Sequence, residues 1–334
     1  MKAAVLENVK DVNIKEIPSP EISDNEVLVH VKAAGLCGTD SHIFAGNMMV
    51  STPLIMGHEI CGEICEVGAD FTDLSCGMKV AIDPNISCGS CFYCRRGEVH
   101  LCPNLEAVGV TRHGGFTEYV RVPRPNVFVL PNQLSCREGA MVEPVSCCLH
   151  GIDRAGIKAG DVVTILGGGA IGLILAQLAS ISGASQVFIS EPDESRQQVA
   201  GNLGLCNVLN PEHISTEVLQ QTKEGADIVI EAAGNKSAAR QSFDLARRGG
   251  TILFFGVCPE SVTIPVAPFS VYEKELTIKG CFLNPFTTER AVQLVAKHRI
   301  EIDKLITHEY ELAQLPELFS GDLTASGLKT VLHP

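Results

Sequence analysis

The chain has 334 residues, 45% hydrophobic and 19% charged, enough apolar sequence for two domains of ordinary size, each with its own core. Its 39 Asp and Glu outweigh 26 Lys and Arg, for a formal charge of -13. Such an acidic balance lacks the basic footprint of a nucleic-acid partner, and no segment reaches the roughly 18 consecutive apolar residues of a membrane span. Fourteen cysteines and no visible signal-peptide pattern at Met1 to Leu6 point to reduced thiols and a cytoplasmic location.

In chain order, Lys2 to Leu6, Glu26 to Lys32 and Ile60 to Val67 are β-rich runs bounded by Pro, Gly, Asp and Asn. They predict an irregular β-barrel carrying inserted loops. The character changes near Ala155 to Asp161. From there the pattern predicts strand Val162 to Leu166, helix Ala170 to Ser182, strand Gln186 to Ser190 and helix Glu194 to Leu203. Strands at Asp227 to Glu231 and Thr251 to Gly256 flank a helical run near Ser237 to Arg247. Repeated β-α units imply a doubly wound parallel sheet with helices on both faces. Strand Leu276 to Gly280 and a helix from about Thr287 to His298 follow. The tail is β-like at Glu309 to Leu312 and Leu328 to Leu332 and is expected to return to the first lobe.

Three groups of residues carry chemistry. Cys88, Cys91, Cys94 and Cys102 stand at C-x2-C-x2-C-x7-C spacing. Short C-x2-C loops favour chelation over disulfide geometry, so four thiolates closing a tetrahedron around a structural Zn²⁺ is the preferred reading over buried thiols or disulfides. Arg95 and Arg96 lie inside this loop, where they can offset its negative charge.

The second group joins Cys37 to the pair His58-Glu59. A catalytic zinc keeps three protein ligands and one open position. Cys37 and His58 offer a thiolate and an imidazole, and either Glu59 or the distant Glu143 can supply a carboxylate.

In the third, Val163 to Leu166 runs into Gly167-Gly168-Gly169-Ala170-Ile171-Gly172. That G-x-G-x-x-G lies between a predicted strand and a helix, the context in which it binds a dinucleotide. Gly167 permits the tight turn, Gly169 the approach of the pyrophosphate and Gly172 close helix packing. Glu191, nineteen positions after Gly172, ends the second strand and suits the ribose hydroxyls of NAD. Arg196 is the counter-signal, because an arginine there can hold the 2'-phosphate of NADP. Val257, after the strand at Thr251 to Gly256, completes the candidate cofactor contacts.

Taken together, these residues resemble the zinc-dependent medium-chain alcohol and polyol dehydrogenases, in the branch that holds sorbitol, arabinitol and threonine dehydrogenases. The resemblance runs nearly the whole length, through Gly-Leu-Cys-Gly-Thr-Asp at 35–40, Gly-His-Glu at 57–59, the four-cysteine lobe, Glu143-Pro144 and the glycine motif. It implies an α/β protein in which a Rossmann sheet joins a GroES-like irregular β-barrel catalytic domain with a zinc lobe. Residues 1–147 would form the catalytic domain, with the lobe at about 86–104, residues 148–283 the NAD-binding domain, and 284–334 the return.

By the same resemblance, Cys37, His58 and Glu59 hold a catalytic zinc, and Glu143 is a ligand or bonds its water. Thr39 and His42 relay the substrate proton, and Asp40 organises the start of their helix. The implied activity is reversible oxidation of a secondary hydroxyl of a polyol to the ketose. The alternatives are L-threonine 3-dehydrogenase or secondary-alcohol dehydrogenase activity and, from another class, a non-catalytic dinucleotide-binding protein. The partner is a small polyol or secondary alcohol, and a homo-oligomer, dimer or tetramer, is expected. At Leu283-Asn284, where mammalian-type sorbitol dehydrogenases carry Arg-Tyr, the chain departs from that pattern.

Overall fold

The computed structural model describes residues 1–323 and 327–334. The chain forms two compact units, one made of Met1–Ser146 with Pro285–Pro334, the other of Cys147–Asn284.

The first unit is built on the strand Glu26–Leu36. Its Val27, Val29, Val31 and Ala33 are fully buried while Leu28, His30 and Lys32 alternate outward, the period of two that fixes a strand's buried face. Antiparallel neighbours flank it: Glu59–Val67 and Tyr119–Pro123 through one set of pairings, Lys329–His333 through another. Lys79–Ile82, Val127–Val129 and Ile306–Glu311 extend the sheet to seven strands. A three-stranded sheet of Asp11–Glu16, Lys2–Asn8 and Leu54–Ile55 shares the same apolar core. The register decides what meets at the far end of the central strand. Gly35 pairs with Glu59 on one side and with Val331 on the other, and Leu36 pairs with Thr330.

The second unit holds a six-stranded parallel sheet in the order Asn207–Leu209, Gln186–Ser190, Val162–Leu166, Ala226–Glu231, Ala246–Phe254, Thr277–Gly280. By position in the chain this is 3-2-1-4-5-6, the doubly wound order. Val163, Ile165 and Leu166 are buried along the central strand, as expected of a sheet covered on both faces. The order reverses beside Val162–Leu166, and ligands of such sheets bind outside the strand ends at that switch. Among the elements beyond the sequence-based segmentation are helices Val142–Ala155, Ile214–Thr222 and Pro268–Lys274, and the three-residue strand Asn207–Leu209. Among the described residues no helix is long and apolar enough to cross a membrane.

Candidate active site and metal centres

Cys37 is the N-cap of helix Gly38–Ala45, which follows directly on the central strand. Glu59 opens the neighbouring strand Glu59–Val67, and His58 immediately precedes it. The ligand atoms of Cys37, His58 and Glu59 all lie within 4.8 Å of one another, and His58 and Glu59 are 7% and 1% exposed. Asp40 is fully buried and accepts from the N–H groups of Cys37 at 2.9 Å and Gly57 at 3.2 Å. It therefore ties the helix start to the turn before His58, and its carboxylate also faces His58 Nδ1 at 3.6 Å. A carboxylate behind one ring nitrogen orients the other toward a metal. Burial opposes a charge on His58, but Asp40 and the Cys37 sulfur outweigh it and hold its pKa well above 6.5.

Glu59 carries a second, unforeseen partner. Lys329, itself 7% exposed, donates to its carboxylate from the strand Lys329–His333. The ammonium is in ion-pair contact with Glu59 Oε2 as well, yet that oxygen is buried without a hydrogen bond of proper geometry. A Cβ on Gly35 would stand 1.9 Å from Oε2, so only glycine leaves space for the carboxylate. Burial disfavours the Lys329 charge, but Glu59, Cys37 and Glu143 raise its pKa above 10.5. A cysteine sulfur, an imidazole and a carboxylate gathered within 4.8 Å suit Zn²⁺. Glu143 lies on helix Val142–Ala155, is 7% exposed and contributes to raising the Lys329 pKa, while the group within 4.8 Å consists of Cys37, His58 and Glu59. Thr39 and His42 are three residues apart on helix Gly38–Ala45 and share a face.

The four-cysteine lobe is closed at its neck by Asn85–Ile86 pairing with Glu106–Ala107. The sulfurs of Cys88, Cys91, Cys94 and Cys102 lie within 4.8 Å of one another, with Cys91 and Cys94 at 3.4 Å. Backbone N–H groups of Ser90 and Cys91 and the Cys102 thiol bring the pKa of Cys88 down to about 6. A preformed cage of this kind matches a closed tetrahedral metal site. Arg96 is engaged within the lobe, with Glu98 at 3.4 Å and over the ring of Phe92 at 5.2 Å.

In the second unit, Gly167 turns the chain at φ 113°, and Gly169 is the extended N-cap of helix Ala170–Ile181. Free N–H groups at such an N-terminus bind phosphate. A Cβ on Gly172 would lie 1.8 Å from the carbonyl oxygen of Gly167, so the close packing is of helix on turn. Glu191 is 4% exposed. Its Oε2 accepts from Gly168 N–H at 2.8 Å and its Oε1 from Asp193 N–H at 3.0 Å. The carboxylate thus belongs to the glycine turn as well as to the strand end. Arg196 Nη1 lies 4.0 Å from where a Gly169 Cβ would be. Val257 is 75% exposed and its backbone abuts Gly234. Sequence reasoning missed Glu231, fully buried at the end of Ala226–Glu231, which accepts from Ala233 and Gly234 N–H at 2.9 and 2.8 Å. Burial raises its pKa in spite of these bonds. The signal was a carboxylate closing an apolar strand just before a glycine.

Residues 23–132 match the alcohol dehydrogenase GroES-like domain and residues 170–297 the zinc-binding dehydrogenase domain. A sorbitol dehydrogenase of Bacillus subtilis (strain 168) is 30% identical over all of this chain and 97% of that protein. The D-arabinitol dehydrogenase 1 of Uromyces fabae is 32% identical over the same shares. The chain belongs to the zinc-dependent medium-chain alcohol and polyol dehydrogenases. Among solved structures, a zinc-binding dehydrogenase from Sinorhizobium meliloti 1021 bound to NADP superposes with a TM-score of 0.96 at 40% identity, covering 100% of this chain and 99% of that one. The dehydrogenase is thus an oxidoreductase that acts on a small alcohol with zinc and a nicotinamide dinucleotide. Its first unit is of the GroES-like class and its second a Rossmann domain, the fold class implied by the sequence resemblance.

Proposed function

We propose that this dehydrogenase oxidises a secondary hydroxyl of a sugar alcohol to the ketose, reversibly, with NAD as hydride acceptor. The observation that carries this reading is the Cys37-His58-Glu59 group, with Cys37 half-buried and His58 and Glu59 buried, in a chain that aligns end to end with sorbitol and arabinitol dehydrogenases. Cys37 and His58, with a carboxylate from Glu59 or Glu143, hold the catalytic metal. Bound there, Zn²⁺ supplies Lewis-acid polarisation of a substrate hydroxyl, and the nicotinamide accepts the hydride. Asp40 fixes the helix start and the orientation of His58. Thr39 receives the hydroxyl proton, and His42, half-buried one helical turn on, passes it to solvent. Cys88, Cys91, Cys94 and Cys102 hold a second, structural zinc.

Gly167, Gly169, Ala170, Ile171 and Gly172 receive the pyrophosphate, with Val257 at the same end of the sheet. Glu191 places a negative charge beside the glycine turn, which favours ribose hydroxyls over a 2'-phosphate. Assembly into a homo-oligomer belongs to the same reading. It is supported by Thr277–Gly280, a sheet-edge strand with Ile278 exposed, since unpaired edges invite pairing with another chain.

Reduction of NAD over a panel of polyols, secondary alcohols and L-threonine tests the substrate class, and turnover confined to L-threonine or simple alcohols would overturn it. For the cofactor, NADH is expected to bind more tightly than NADPH. Glu191→Ala should lower NADH affinity by about tenfold while raising that for NADPH. Tighter NADPH binding by the wild-type protein would make Arg196 the deciding residue.

A further inference from the structure

The first unit holds a cavity of about 570 Å³ that none of Cys37, Thr39, His42, His58, Glu59 and Glu143 lines. Its walls come from the chain around Pro18, Pro53, His113 and Val120. The ionisable side chains among them are Arg112, His113, Tyr119 and Arg121, and none is a carboxylate. In a chain with a formal charge of -13, such a wall is the reverse of the average surface. Arg112 is already paired, with Glu26 at 3.0 Å and Glu106 at 3.7 Å. Arg121 is not. Among the described residues it has no carboxylate in ion-pair contact, and its guanidinium donates to the carbonyl of Glu21 at 3.2 Å. Burial and the Arg121 charge together lower the His113 pKa, so guanidinium and imidazole act on the same space. His113 Nδ1 accepts from Ile55 N–H at 3.2 Å, which puts the proton of the neutral ring on Nε2 and leaves that N–H as a donor. The hydroxyls of Ser51, Thr52 and Tyr119 also line the cavity and make no hydrogen bond among the described residues.

We infer that this cavity is a binding site for a small hydroxylated molecule carrying one oxyanion head, a phosphate monoester or a carboxylate. A guanidinium presents its N–H groups as a planar fork matched to such a head, and His113 Nε2–H adds a neutral donor. Ser51, Thr52 and Tyr119 offer partners to hydroxyls on the body of the ligand, while Ile17, Leu54 and Val120 supply an apolar wall. A few placed polar groups on an apolar wall, in a volume of this size, are what ligand pockets have in common. The site shares no residue with either metal group or with the glycine turn, so it stands apart from the reading of the reaction.

The test is calorimetric titration of zinc-loaded protein saturated with NADH, which keeps added anions from the glycine turn. The probes are glucose 6-phosphate, gluconate, inorganic phosphate and glucose at one ionic strength. Glucose 6-phosphate or gluconate should bind once per chain, and the tighter of the two identifies the head group. Inorganic phosphate should bind more weakly, because it lacks the hydroxylated body, and glucose should not bind. Arg121→Gln should weaken the tighter ligand by about tenfold or more, the usual loss for a hydrogen bond to a charged group. The same variant should leave kcat and KM within about twofold of wild type, since Arg121 touches no group used in the reaction. Arg121→Lys keeps the charge and loses the fork, so its affinity should fall between the two. Failure of both anions to bind overturns the inference, as does binding of glucose equal to theirs. Binding that Arg121→Gln leaves unmoved places the anion elsewhere and overturns it too. If that variant does not fold, Arg121→Lys decides, and an affinity equal to wild type overturns the site.

Discussion

The four-cysteine lobe and the Cys37-His58-Glu59 group are both sets of metal-ligating side chains within 4.8 Å, carried by the same unit, yet they are held in opposite ways. The lobe draws its ligands from one short loop between two-residue strands. Of its cysteines, Cys102 alone is buried, and Cys88 is exposed. Such a loop has too little apolar surface to order itself, so its metal contributes folding energy. The Cys37-His58-Glu59 group takes its ligands from a helix cap and a strand end, braced by Asp40, Gly35 and Lys329 beside a large core. That frame draws its order from the core and its own hydrogen bonds, so on the proposed reading a metal there serves chemistry. On the proposed reading the lobe uses its ion as a staple and the other group as a catalyst, and the support around each differs accordingly.

The largest effect should come from breaking the buried group. Cys37→Ala or His58→Ala should reduce the zinc content from two per chain to one. Turnover should fall by roughly a thousandfold or more, since a Lewis acid contributes several kcal/mol to the transition state. Melting should move little. Metal analysis, turnover and thermal unfolding on the same samples check this, and full zinc with full activity in Cys37→Ala would refute the catalytic assignment.

The lobe should answer the other way round. Cys91→Ser or Cys94→Ser should cost on the order of 4 kcal/mol of stability, because loss of a structural metal is among the largest single-site effects. Folded molecules should retain most of their turnover at low temperature. Unchanged thermal unfolding after loss of the lobe zinc would erase the distinction between the two groups.

What was legible in the sequence follows from the same contrast. The lobe cysteines and the glycine turn are local in the chain, so spacing reveals them. Cys37 and His58-Glu59 were visible because each sits in a short motif. Lys329 was not, since it meets Glu59 270 positions away only through the register of three strands. In Leu328 to Leu332 it reads as the ordinary outward residue of an edge strand. Glu191 was found as a strand-end carboxylate, but its bond to Gly168 depends on how the turn folds back over it. Helix Val142–Ala155 was hidden by Glu143-Pro144 and an apolar, cysteine-rich run with strand-like composition. Pro144 is tolerated because it falls in the first turn of that helix.

A half-buried ion pair in the same unit gives the baseline for both candidate metal groups. Glu26 is 6% exposed, accepts from Ser23 Oγ at 2.7 Å and from Arg112 Nη2 at 3.0 Å. Burial pushes its carboxyl pKa up, but the Ser23 bonds, Arg121 and Arg112 outweigh that and leave it below 4.5. A pKa lower in the folded than in the unfolded chain means stabilisation that is fully present above the unfolded value of 4.5 and fades as pH falls through the folded one. Glu26→Gln keeps the shape and removes the charge, and at neutral pH it should cost about 1–2 kcal/mol in urea unfolding. Its deficit should shrink steadily as pH drops below 4.5, whereas the deficit of an uncharged packing defect would not depend on pH. Any acid loss of zinc affects wild type and variant alike, so the difference between them isolates the ion pair. A deficit constant across that range would show that Glu26 acts through packing. One as large as that of the lobe variants would mean that ordinary ion pairs, and not metal, set the stability of this unit.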